Sequence, residues 1–112
     1  MSRFGFESEE RGPVTVVALR GELDLLSTAA LESELERLAE EPGCVVVALD
    51  MRELEFLDSS GLRLVVLAER SLRDNGRRLV LVRGPQPVQR VFEITRMSDR
   101  LEFVDAPERI DG

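Results

Sequence analysis

Two short, wholly apolar runs, Val45 to Leu49 and Leu79 to Val82, constrain this chain more than any other feature. Continuous apolar runs of this length read as strands covered on both faces or placed centrally in a sheet. Between them lies a helical stretch. It is apolar from Leu62 to Ala68 except at Arg63, charged further on, and stopped by Asn75-Gly76 in the left-handed manner of a glycine C-terminus. Strand, helix and strand in that order imply parallel strands joined by a right-handed crossover.

The flanking sequence extends this unit. Phe4 and Phe6 alternate with polar neighbours as in an edge strand, Gly12-Pro13 marks a turn, and Val14 to Arg20 is rich in β-branched residues. These predict a hairpin. Gly21-Glu22-Leu23-Asp24 breaks the strand pattern, and Ser27 or Thr28 supplies a cap for the helix carrying Leu31, Leu35 and Leu38. Pro42-Gly43 ends that helix. Asp50 to Leu57 reads as a connection in which Leu54 and Phe56 alternate with Glu53 and Glu55 and belong to the core. The second helix starts near Ser59 or Ser60 and runs to about Asn75. Gly84-Pro85 and Pro87 lead into a short helix with Val88, Val91 and Phe92 on one face, and all five prolines fall outside element interiors. Leu101 to Val104 is a last strand or an extended tail, and residues 105–112 are expected to fray. The predicted fold is α/β, one domain with an ordered core from about residue 4 to 104. It is a mixed sheet of four or five strands with three or more helices, in the order β-β-α-β-α-β-α with or without a closing β.

Segments that follow parallel strands emerge on one edge of a sheet. Gly21 to Ser27, Met51 to Leu62 and Gly84 to Val88 are therefore expected to converge there, with Asp24 near Ser59. Ser59-Ser60 precedes Gly61 and the apolar helical run. Serine hydroxyls in such a place cap a helix, attack a substrate or receive a phosphate. Composition argues against attack. The chain has no histidine, and all 15 of its cationic residues are arginine, which stays protonated and cannot take a serine's proton. Without histidine, and with Cys44 the sole cysteine, a zinc site lacks ligands; Asp and Glu show no EF-hand spacing. No Walker-type glycine loop with lysine exists. No catalytic residue, metal or cofactor is therefore expected, and Cys44 reads as a small buried hydrophobe.

A net charge of −7 argues against nucleic acid as a partner. Residues 1–58 carry 14 acids and 5 arginines, net −9, whereas residues 59–112 carry 8 acids and 10 arginines, net +2. A surface of mixed sign suits a protein partner. No run approaches membrane-spanning length and no signal peptide is read at the start, so a reducing cytoplasm is the expected location. The helix N-terminus at Ser59 or Ser60 favours an anion, and Arg63, one turn on, is within reach of one; Asp58 and Asp24 would repel it.

Gly21-Glu22-Leu23-Asp24, together with Phe56-Leu57-Asp58-Ser59-Ser60-Gly61-Leu62 about 35 residues later, resembles the anti-sigma factor antagonists, bacterial proteins of the STAS fold. The resemblance runs from about Phe4 to Val104. It implies a partner-switching protein: unphosphorylated, it binds an anti-sigma factor that is an ATP-dependent serine kinase, and so frees a sigma factor. The kinase then phosphorylates the first serine of the motif, Ser59 here (Ser60 is the alternative), and a PP2C-type phosphatase resets the switch. It also implies a partner surface at Glu22, Asp24, Leu25, Asp58, Ser59, Ser60, Gly61 and Arg63, with Asp58 helping to place the acceptor and Ser60 a cap or secondary acceptor. Arg63 stands where many relatives have a small residue, and Leu25 and Leu26 where some have polar ones; the two leucines mark an apolar contact patch. The other reading is a constitutive STAS interaction module, a lipid-transport subunit or stress-signalling scaffold, without a phosphorylation switch.

Overall fold

The structure, a computed structural model, describes residues 3–111. Five strands and three helices follow one another: β1 (Gly5–Arg11), β2 (Val14–Leu23), α1 (Thr28–Ala39), β3 (Val46–Leu57), α2 (Ser59–Asp74), β4 (Arg78–Val82), α3 (Gln86–Ile94) and β5 (Phe103–Val104). The sheet order is β1-β2-β3-β4-β5; β1 and β2 are antiparallel and every later pair is parallel. The α/β order expected from sequence is the order observed, and of the two readings left open for Leu101 to Val104 the closing strand is the one found, as β5.

This topology decides where the helices lie. Each parallel crossover steps in the same direction across the sheet, and right-handed crossovers that never reverse place all their helices on one face. Leu31, Leu35 and Leu38 of α1, Leu64, Val65, Ala68 and Leu72 of α2 and Val88 and Phe92 of α3 accordingly pack on Val17, Leu19, Val47, Leu49, Met51, Leu79 and Leu81 in one large core. The opposite face holds a smaller cluster of Val14, Val16, Val46, Ala48 and Val80.

The expected frayed tail instead covers that smaller face. Residues 107–109 form a 3₁₀ turn, Pro107 is buried, and Ile110 packs on the small cluster. Arg78 donates to the Asp111 carbonyl at 3.1 Å and pairs with Glu102. An apolar sheet face outweighs the entropy that would leave such a tail loose. Beside it, burial pushes the Asp50 carboxyl up. The paired Arg52 guanidinium, at 3.0 and 2.8 Å, and the Arg52 N–H outweigh this and hold it below its ordinary value.

The central strands outrun the sequence reading. β2 continues through Gly21-Glu22-Leu23, and β3 continues through what reads as a connection to Leu57. Two irregularities make this legible only in three dimensions. Ala18 and Arg20 face Asp50 and Glu53, and Gly21 and Glu22 face Leu54 and Phe56, so β3 carries an extra residue at each step. Each bulge resets the two-residue alternation. Met51, Leu54 and Leu57 turn inward at intervals of three, and Phe56, expected in the core with Leu54, is about half exposed. Pro87, expected outside element interiors, occupies the first turn of α3, where its missing N–H has no intrahelical partner to lose.

Candidate functional site

β2 and β3 end together, with Leu23 paired to Leu57 in parallel register. The chain leaves both strands at one place, so the turn that begins at Asp24 and the start of α2 are neighbours. The Asp58 N–H donates to the Leu23 carbonyl at 3.3 Å and ties the two exits together. The third segment expected here lies elsewhere. β4 stops at Val82 opposite Asp50, seven residues before β3 ends, which at the rise of a strand is roughly 20 Å short of the site. Gly84 to Val88 packs at the level of Met51 instead.

Gly61 permits the close approach of α2 to β2. A Cβ at this position would lie 2.7 Å from the Leu23 carbonyl oxygen and 2.7 Å from Leu57 Cδ1. Gly21 has a comparable duty at the bulge: its φ is +84°, and a Cβ there would meet the Arg3 carbonyl. The two glycines of the sequence motifs are therefore explained by backbone packing, and Gly61 is buried.

Of the two roles that the resemblance implied for Ser60 the cap is not the one seen, and neither serine caps α2. Asp58 does so, from extended backbone (φ −101°, ψ −173°), with its Oδ1 accepting the Gly61 N–H at 3.0 Å. Ser59 is exposed and Ser60 half-buried in the first turn of α2. Neither hydroxyl is hydrogen-bonded to another side chain or to backbone among the described residues. At a helix N-terminus the backbone N–H groups of the first turn lack intrahelical acceptors, so this is a favourable place for a new anion. Arg63, exposed and without an ion pair among the described residues, lies four residues after Ser59 and three after Ser60, on the neighbouring turn.

The other wall is built differently. The Ser27 hydroxyl accepts the Asp24 N–H at 2.9 Å and donates to the Glu22 carbonyl at 2.9 Å, while Asp24 Oδ1 accepts the Leu26 N–H at 3.0 Å. Ser27 stands at the N-cap of α1 without capping it; its hydroxyl locks the turn instead. Thr28, the other expected cap, bonds back to the Leu25 carbonyl at 3.4 Å. Glu22 and Asp24 stay half-buried, and Leu25 and Leu26 project at 72% and 93% exposure. Phe56, opposite Glu22, adds a third exposed apolar side chain that the sequence reading gave to the core. The result is a trio of carboxylates, Glu22, Asp24 and Asp58, and an open hydroxyl, bordered by apolar side chains and by Arg63. The arrangement offers carboxylates as its side-chain bases, with no histidine or lysine in the chain. It also offers a hydroxyl that another protein can reach.

Comparison with known proteins places this geometry in context. The STAS domain family model matches residues 6–109. An anti-sigma-B factor antagonist of Listeria monocytogenes is 31% identical over 96 residues, 86% of this chain and 83% of that protein. Among solved structures, an anti-sigma factor antagonist from Mycobacterium paratuberculosis superposes with a TM-score of 0.81 at 20% identity, covering 95% of this chain and 89% of that one. The phosphorylated form of the Bacillus cell fate determinant SpoIIAA superposes at 0.72 with 22% identity, covering 93% and 94%. These two structural likenesses are of fold.

Proposed function

Because this chain belongs to the STAS domain family, we propose that it acts as an anti-sigma factor antagonist whose switch is Ser59. Unphosphorylated, it binds an anti-sigma factor serine kinase through the surface around Asp24, Leu25, Asp58, Ser59, Ser60 and Arg63, and a sigma factor is released. The kinase transfers the γ-phosphoryl group of ATP to Ser59 Oγ. The hydroxyl gives up its proton, ADP leaves, and the complex separates. A PP2C-type phosphatase hydrolyses the phosphoserine and restores binding. The setting is the bacterial cytoplasm. The Listeria relative carries this activity in its name, and the SpoIIAA structure is of a phosphorylated protein.

The observation that carries the reading is the division of labour at the start of α2. Asp58 takes the cap, so the exposed Ser59 hydroxyl has no structural duty to give up. A phosphoserine carries a charge of about −1.5 to −2 at neutral pH. Here the free N–H groups and Arg63 would stabilise it, whereas Asp24 and Asp58 would oppose it. The fold then tolerates the group while the surface changes sharply, as a binding switch needs.

The test is to incubate the protein with ATP and an anti-sigma factor serine kinase of its own organism, and to map the modified residue by mass spectrometry. Phosphate is expected on Ser59; phosphate on neither Ser59 nor Ser60 overturns the switch. Ser59→Ala should keep kinase binding and Ser59→Asp should weaken it. Equal affinity of the two would make the protein a constitutive module.

A further inference from the structure

A groove runs from the Ser59-Ser60 end of α2 along its seam with α1. Two adjoining cavities form it, of about 300 and 190 Å³, and both are lined by Glu32, Leu64 and Leu67. The first opens beside Leu25, Ser60 and Arg63; the second continues past Glu36 to Ser71. Ser60 to Ser71 spans about three turns of helix, on the order of 16 Å. The floor is apolar, with Leu35, Leu64, Ala68 and Leu72 buried beneath it, yet Leu67 and Leu25 on its rim are 42% and 72% exposed.

The two walls differ in charge. The α1 wall presents Glu32 and Glu36 one turn apart. Both are exposed and neither has a cation within ion-pair distance among the described residues, whereas Glu34 on the same helix is paired with Arg37 at 2.9 Å. Like charges at this spacing repel and weaken a helix. The α2 wall past Arg63 holds Leu67, Ala68 and Ser71, without charge. An apolar trough three turns long with an unpaired acidic side fits one kind of occupant. This is an amphipathic helix with apolar anchors along one stripe and lysine or arginine beside them.

Building on the function proposed above, we infer that the α1–α2 groove receives a cationic amphipathic helix of the anti-sigma factor, and that it supplies affinity separately from the Ser59 switch. The groove adjoins the switch at Ser60 and Arg63, so one partner covers both. Its far end lies more than three turns from Ser59, far enough for the two contributions to be independent.

The experiment uses the full chain in a Ser59→Ala background, so that no phosphoryl transfer intervenes, and measures Kd for an anti-sigma factor serine kinase of the same organism by calorimetry. Paired Glu32→Arg and Glu36→Arg changes should raise Kd by about tenfold or more and flatten its salt dependence, since charge complementarity is lost. Leu67→Asp should raise Kd by about tenfold with the salt dependence kept. Exposed helix positions are altered, and unchanged thermal melts would show the fold intact. Binding within twofold of the parent by both variants overturns the inference; if Ser59 of the wild-type chain is still phosphorylated, the function proposed above survives. Self-association of the wild type that Leu67→Asp abolishes would assign the groove to a second copy of this chain and also overturn it. A wild-type chain that neither binds the kinase nor accepts phosphate overturns both readings.

Discussion

Both helices that border the site begin beside an aspartate that accepts a backbone N–H and is followed closely by serine, and only one of the two junctions spends its serine as well. At the end of β2 the serine is structural: Ser27 accepts the Asp24 N–H and donates to the Glu22 carbonyl, so its hydroxyl is spent inside the turn. At the end of β3 the aspartate is structural. Asp58 binds the Gly61 N–H, and Ser59 and Ser60 are left unbonded. The same residue types at the same edge of the sheet thus give one closed junction and one open one. A serine's availability for modification depends on whether a neighbour satisfies the backbone in its place.

The contrast requires α2 to sit tightly against the end of β2, and Gly61 is where that is most easily broken. Gly61→Ala puts a methyl group 2.7 Å from the Leu23 carbonyl oxygen, a backbone atom that cannot swing aside. The expected loss is about 2 kcal/mol of unfolding free energy, the usual size for overpacking a close-packed seam, read from urea denaturation. A loss below about 0.5 kcal/mol would mean that α2 rides higher over β2 and that the two junctions are not locked together.

The next effects are smaller and of similar size, and they sharpen the comparison directly. Asp58→Ala removes the cap and should cost about 1 kcal/mol, whereas Asp58→Asn, which still accepts the Gly61 N–H, should cost a few tenths. Ser27→Ala leaves the Asp24 N–H without its partner and should also cost about 1 kcal/mol. If Asp58→Ala were neutral, a serine hydroxyl would be taking over the cap, and the open junction would be open only by virtue of its aspartate.

These two junctions also show how far the sequence carries. The uninterrupted apolar runs in β3 and β4, and the leucines at helical spacing in α1, are strong signals, and each lies where it was read except Val45, which precedes β3 and is about half exposed. The Gly-Glu-Leu-Asp and Asp-Ser-Ser-Gly-Leu motifs were legible too, and strand pairing brings them side by side. What alternation could not reveal is the register past Asp50. Met51 still follows the alternation of Val47 and Leu49; the first extra residue in β3 then brings Leu54 inward, and the second brings Leu57 inward in place of Phe56. A bulge leaves no periodic trace of its own; the second of these lies beside Gly21, at φ +84° on β2. The length of β3 beyond β4 was equally invisible, which is why the loop after β4 was expected at a site it does not reach. Likewise, three adjacent hydrogen-bonding side chains compete for one cap, and only geometry decides that Asp58 wins over Ser59 and Ser60.

Ser59→Ala should have the smallest effect on stability of all these changes, and for that reason it is the sharpest of them. The side chain is exposed, its hydroxyl bonds no other described residue, and alanine is well suited to a helix. Unfolding free energy should therefore stay within about 0.5 kcal/mol of wild type, as for surface changes away from any cap. Phosphate incorporation at this position should nevertheless vanish, since the acceptor oxygen is gone. A residue with a structural role loses stability and function together; a residue kept open for modification loses only the second. Should Ser59→Ala fall by a kilocalorie or more, as Ser27→Ala is expected to, the hydroxyl has a structural partner, the two junctions are alike, and the case for Ser59 as the free acceptor fails with the contrast.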